Sequence, residues 1–220
     1  MKLKPLLAVL AMLIGVNAHA AGDAAAGQGK AAVCAACHGV DGNSVDPQYP
    51  KIAGQHAEVT AQQLALFKSG KRDNAIMLGF SVTLSEQDMA DLGAYFATQT
   101  MSTGLASDAP ISGGPYDGQP MHKVGESIYR GGIVEPERHV PACMACHGVA
   151  GAGNPGARYP RVGGQHARYT ADMLKRFRGG AVYGEVSDPH ALIMSQIAAR
   201  LTDTEIDALA TYMEGLHAAP

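Results

Sequence analysis

Apolar residues along this chain recur at helical spacing. Leu64 and Phe67 mark one stripe, Leu174 and Phe177 another; Leu92 with Tyr95, and Leu209 with Tyr212, repeat the pattern further along. Such spacing predicts amphipathic helices packed on a common core. The helices carrying Leu92 and Leu209 are each preceded by a capping pattern, Ser85-x-x-Asp88 (an imperfect one) and Thr202-x-x-Glu205, where a hydroxyl and a carboxylate satisfy the first free amides. No period-two alternation persists over a useful length. The pattern predicts an all-α protein.

The stripes are duplicated because the sequence is. Tyr49-Pro50-Lys51-Ile52-Ala53-Gly54-Gln55-His56-Ala57 matches Tyr159-Pro160-Arg161-Val162-Gly163-Gly164-Gln165-His166-Ala167, and Leu84 to Met89 matches Leu201 to Ile206. Two tandem domains follow, residues 21–101 and 122–220. Between them, residues 102–121 are rich in Gly, Ser, Pro and Asp around Gly113-Gly114-Pro115 and lack an apolar period, which predicts an irregular connector. The second copy carries two insertions, eleven residues around Gly131 to Pro141 and about seven within Ala181 to His190.

One apolar run obeys neither pattern. Met1-Lys2-Leu3-Lys4 leads into Leu6 to Val16 and ends at Ala18-His19-Ala20. A basic start, a short apolar centre and an A-x-A end predict a secretory signal peptide over residues 1–20, cleaved after Ala20. The remaining chain would be exported, free or at most bound to a membrane surface. Between residues 21 and 100 there are 5 basic and 8 acidic residues; between 122 and 220 there are 10 of each. This balance argues against nucleic acid as a partner. A local cluster, Arg168, Lys175, Arg176 and Arg178, is either a solvated helix face or a docking patch.

All 4 cysteines fall in one repeated motif, Cys34-Ala35-Ala36-Cys37-His38 and Cys143-Met144-Ala145-Cys146-His147. C-x-x-C-H is the attachment signature of c-type haem. Thiols three residues apart face one side of a helical turn, so both can add across the vinyl groups on one porphyrin edge, and the histidine that follows can ligate the iron from below. A thioredoxin-type dithiol needs no trailing histidine, and paired zinc half-sites sit far closer together than these copies. Two covalent haem c groups are therefore expected, on Cys34 and Cys37 and on Cys143 and Cys146, with His38 and His147 as iron ligands. Small domains with no Trp bury modest cores, and a tethered porphyrin would supply the missing apolar surface.

The duplication also sorts the methionines for a second axial ligand. Met89 aligns with Ile206 and Met213 with Phe96, both core positions; Met173 aligns with Gln63, Met144 lies inside its motif opposite Ala35, and Met101 and Met121 flank the connector. Met77 and Met194 alone match, each seven residues before its Leu-Ser/Thr helix start. They are the expected axial ligands. His56 and His166 form the competing matched pair, but each directly opens a helix, and a structural or surface role is favoured. His190, four residues before Met194, has no counterpart.

With these motifs in hand, the chain resembles the dihaem cytochrome c4 family across residues 21–220. The resemblance implies two class I cytochrome c folds related by a pseudo-twofold axis, with first and last helices crossing at Gly27 with Tyr95 and at Gly125 with Tyr212. It implies that the Pro50 and Pro160 carbonyls meet the histidine ring N–H groups. It also implies an electron carrier between the cytochrome bc1 complex and a terminal oxidase such as a cbb3-type enzyme. One departure is Val59, where the second copy has Tyr169. Irons closed by His and Met leave no place for a small-molecule substrate, so the chain reads as a carrier and not an enzyme. The alternatives are a dihaem peroxidase, which needs an open iron, and the cytochrome subunit of a dehydrogenase complex. A haem-based sensor would need an output domain, and none is evident.

Overall fold

The computed structural model describes residues 21–218; the expected signal peptide, residues 1–20, lies outside them. In the first half, α1 (Ala24–Lys30) runs through a 3-10 turn (Ala31–Cys34) into α2 (Ala35–His38), followed by α3 (Ala57–Lys68), α4 (Ala75–Ser81) and α5 (Glu86–Ala97). In the second half, α6 (Met121–Gly131), α7 (Met144–His147), α8 (Ala167–Arg178), α9 (Pro189–Ala198) and α10 (Asp203–Gly215) repeat the order. Both capping boxes form, Ser85 with Asp88 on α5 and Thr202 with Glu205 on α10.

In each half the last helix is the hub. α5 carries α1 and α3, and α10 carries α6 and α8. The crossings are so close that only glycine fits. A Cβ on Gly27 would lie 2.0 Å from the Asp91 carbonyl oxygen and 2.8 Å from Tyr95 Cβ; one on Gly125 would lie 2.0 Å from the Ala208 oxygen and 2.7 Å from Tyr212 Cβ. The resemblance implied these crossings, and they are observed. Of the stripe residues, Phe67, Leu92, Leu174 and Leu209 are buried, as are Met89 and Met213, while Leu64, Tyr95, Phe177 and Tyr212 are partly buried against the two cores.

Two features go beyond the helical pattern. The insertion at 131–141 forms a short antiparallel hairpin, β1 (Ile133–Glu135) with β2 (Arg138–Val140). Each strand has 3 residues, too few for alternation to be read, and the hairpin is anchored by burial of Ile133 and Val140. Arg138 ties it to α10 by a two-pronged contact with the Glu205 carboxylate, at 2.7 and 2.9 Å. The connector, for its part, lies along α10. The Gly104 N–H donates to the Glu214 carbonyl and the Ser107 N–H to the Thr211 hydroxyl. Ile111 enters the second core, and the Tyr116 hydroxyl donates to Glu205 at 2.8 Å. Among the described residues, no helix is long and apolar enough to cross a membrane.

Candidate haem sites and the interface between them

Each C-x-x-C-H motif forms a short helical turn ending at a glycine of positive φ, Gly39 at 81° and Gly148 at 78°. The turn buries the histidines, which are 8% and 9% exposed. Their Nδ1 atoms lie 2.8 Å from the Pro50 carbonyl oxygen (His38) and 2.9 Å from that of Pro160 (His147). A carbonyl can only accept, so Nδ1 carries the proton and Nε2 presents its lone pair. Burial pushes both imidazoles below the ordinary histidine pKa, with the proline carbonyl opposing it. A neutral imidazole with a fixed tautomer is what an iron ligand requires.

No cysteine is in a disulfide, and all four are half-buried. Burial raises the thiol pKa of Cys34 and pushes Cys143 up to about 11. In the first half, α4 and the following turn present Ile76, Leu78, Phe80 and Val82, each 40–56% exposed. This apolar surface suits a porphyrin face. The first core is also small, with Ala31, Leu92 and Phe96 fully buried against partly buried Cys34, Ile52 and Leu64. The residues fit a tethered haem.

Met77 lies in the first turn of α4, where its N–H is capped by Asn74, and Met194 lies in the middle of α9. Both are half-buried. His190 is exposed at the start of α9, its ring 6.3 Å from that of Tyr159, which lies 6.2 Å from His147. Of the basic cluster on α8, Lys175 pairs with Asp207 and Arg178 with Asp203, both on α10. Those two charges hold helices together.

A sequence model described as cytochrome c matches residues 24–100 and 137–217. Cytochrome c4 of Pseudomonas aeruginosa is 44% identical over 214 residues, covering 96% of this chain and 98% of that one. The chain belongs to the cytochrome c4 family. The crystal structure of reduced recombinant cytochrome c4 from Pseudomonas stutzeri superposes with a TM-score of 0.78 at 43% identity, covering 90% of this chain and all of that one. A thiosulfate dehydrogenase electron acceptor of Stutzerimonas stutzeri is also similar, 35% identical over 94% of this chain and 92% of its own length. This chain is thus a dihaem electron-transfer cytochrome of two tandem cytochrome c domains. Its two haem c groups are covalently bound at Cys34 and Cys37 and at Cys143 and Cys146.

In this cytochrome the two halves meet through the Tyr-Pro…Gly-Gln-His block of each copy. The Gln165 carboxamide accepts from the Lys51 N–H at 2.9 Å and donates to the Lys51 carbonyl at 2.8 Å. Gln55 does the same to Arg161, at 2.9 and 3.0 Å. The two pairings exchange under the pseudo-twofold, as an isologous contact must. Sequence reasoning flagged the repeated glutamines but gave them no role, because the contact exists only once the copies face each other.

The histidines beside them differ. His166 is buried, its Nε2 2.9 Å from the Ser44 carbonyl and 3.0 Å from the Ser44 hydroxyl. The Nε2 of His56 is buried without a hydrogen-bond partner. The position matching Ser44 is Gly153, which has no hydroxyl to offer. At the rim, Arg72 donates to the Tyr169 hydroxyl at 2.8 Å and lies over the rings of Phe67 and Tyr183. Lys71 pairs with Glu185 from the second insertion. The Tyr169 for Val59 exchange thus gives the second domain an interfacial hydroxyl.

Proposed function

We propose that each iron is six-coordinate, with His38 and Met77 in the first domain and His147 and Met194 in the second, and that the protein is a carrier of up to two electrons. The observation that carries this reading is the matched geometry of the two motifs: buried imidazoles whose Nδ1 protons are committed to Pro50 and Pro160, in a duplication that pairs Met77 with Met194. Haem iron supplies a reversible one-electron couple. Held by an imidazole and a thioether of this chain, each iron would change oxidation state with little rearrangement and would leave no position for a substrate. His/Met ligation also favours a higher potential than two imidazoles would.

On this reading residues 1–20 direct export and are cleaved, and the mature protein works in the periplasm, free or at the surface of the inner membrane. It accepts electrons from a bc1-type complex and passes them towards a terminal oxidase such as a cbb3-type enzyme. A relative that serves as an electron acceptor for thiosulfate dehydrogenase favours a second donor of that kind. There too the role is that of carrier, with the catalysis residing in the partner.

The test is a spectroelectrochemical titration of wild type beside Met77→Ala and Met194→Ala. Each variant should lose about half of the far-red sulfur-to-iron absorption and lower one reduction potential only. Retention of the full band in either variant removes that methionine from the iron.

A further inference from the structure

The two proline carbonyls that receive the histidine protons belong to peptide groups whose other ends are held by the opposite domain. The Pro50 C=O accepts from His38 Nδ1, and the N–H of the same peptide, on Lys51, donates to Gln165 Oε1. The Pro160 C=O accepts from His147 Nδ1, and the N–H of that peptide, on Arg161, donates to Gln55 Oε1. We infer that Gln165 sets the reduction equilibrium of the first domain's haem and Gln55 that of the second, each acting through one shared peptide group on the other domain's histidine.

The physical reason is polarisation along a hydrogen-bonded chain. An acceptor on a peptide N–H draws its proton and enriches its carbonyl oxygen in negative charge, which strengthens the bond that oxygen accepts. A stronger acceptor for Nδ1–H makes the imidazole a more basic ligand, and a more basic ligand favours ferric over ferrous iron. Each glutamine therefore holds its target potential down.

Orientation is unambiguous, because the same carboxamide donates back to the carbonyl of Lys51 or of Arg161. The oxygen is fixed further by the N–H of the next residue, His166 onto Gln165 and His56 onto Gln55, each at 3.0 Å. Gln165 is buried, and Lys51 is 6% exposed with its ammonium donating to the Ser102 and Gly164 carbonyls. Water has little access to substitute for the amide.

This inference rests on His38 and His147 being iron ligands, and makes Gln55 and Gln165 positioning residues. It is tested on the full holoprotein by redox titration, with each haem assigned from its hyperfine-shifted NMR resonances. Gln165→Met keeps the side chain's length but removes its acceptor. It should move the first haem towards the reduced form by about threefold, roughly 28 mV for a one-electron couple, and the second haem by less. Gln55→Met should show the mirror result. Gln165→Glu keeps an acceptor and adds negative charge, and should shift the first haem in the opposite direction.

Equal shifts of both haems in each variant, or no shift with the far-red band intact, would overturn the coupling. Glutamines that served only to hold the domains together would give neither the haem selectivity nor the change of sign. A wild-type spectrum without imidazole–iron ligation would fail the ligand assignment itself, and the coupling with it.

Discussion

Gly27 and Gly29 lie two residues apart on α1, and substituting each with alanine should have opposite effects. A Cβ on Gly29 meets nothing within 4 Å, so Gly29→Ala gains helix propensity of up to about 1 kcal/mol. A Cβ on Gly27 would lie 2.0 Å from the Asp91 oxygen and 2.5 Å from its carbonyl carbon. Backbone cannot swing aside as a side chain can. Ordinary contact begins near 3.4 Å, so about 1.4 Å must be made up; a parting of α1 and α5 by about 1 Å leaves the rest as strain, and a gap of that size forfeits a quarter to a half of each dispersion well it opens. Leu92 and Phe96, both 2% exposed, pack in the small core beside this crossing. Each is worth about 1.5–3 kcal/mol when buried, so losing a third of both costs roughly 1–2 kcal/mol. Residual strain adds about 1–3 kcal/mol, and the propensity gain returns about 1 kcal/mol. The net loss is roughly 1–4 kcal/mol, a substantial part of a small domain's stability. At about 4–8 °C per kcal/mol the midpoint should fall by roughly 4 °C or more, measured as far-UV ellipticity of the holoprotein. The reasoning fails if Gly27→Ala melts at or above wild type.

Two further predictions concern charge. Arg138→Met leaves Glu205, 1% exposed, without its guanidinium. Breaking a buried pair costs about 3–5 kcal/mol, here reduced to roughly 2–4 kcal/mol because the Arg138 side chain is 24% exposed; thermal denaturation should show the loss, and adding Glu205→Gln should recover part of it. In the first domain, hydrogen bonds from the Lys30 ammonium, the Asp23 N–H and the Gln87 amide hold Asp91 down to about 2. A depressed carboxylate contributes stability that is complete above its unfolded pKa of about 4 and is lost as pH falls through the folded value. Denaturant midpoints should therefore drop between about pH 4 and pH 2, and Asp91→Asn should flatten that slope.

What could be read in the sequence was what is local or what repeats. The haem attachment lies within five consecutive residues, so its chemistry is complete before any folding. The helical stripes and capping boxes are equally local, and Leu92, Leu209, Met89 and Met213 are buried where the pattern put them. The hairpin at 133–140 was missed because its strands are shorter than one readable period. Ile111 and Tyr116 sit in a Gly- and Pro-rich stretch, and nothing local announces that they pack against the second domain. Gln55 and Gln165 were visible as repeats, but their partners lie 106 and 114 positions away. Such pairings depend on how two copies dock, a relation that no window of sequence contains.

The docking geometry also says where the two haems can come to differ. Under a twofold axis every contact is made twice, so a duplication begins with both sites in identical surroundings, and each later substitution at the interface breaks that identity in one place. Here the glutamine pairings remain symmetric, while the residues around them do not. Ser44 faces His166 where Gly153 stands in the other copy, Lys51 corresponds to Arg161, and Glu214, 3.5 Å from His166, corresponds to Ala97. Lys51 places its ammonium on two carbonyls, whereas the Nε of Arg161 is buried without a partner. The conserved half of the interface fixes each histidine in the same way, and the diverged half surrounds the two peptide groups with different charges and hydrogen bonds. A difference in potential between the haems therefore needs no change in the iron ligands, because charge acts through the poorly screened interior far more strongly than across solvent.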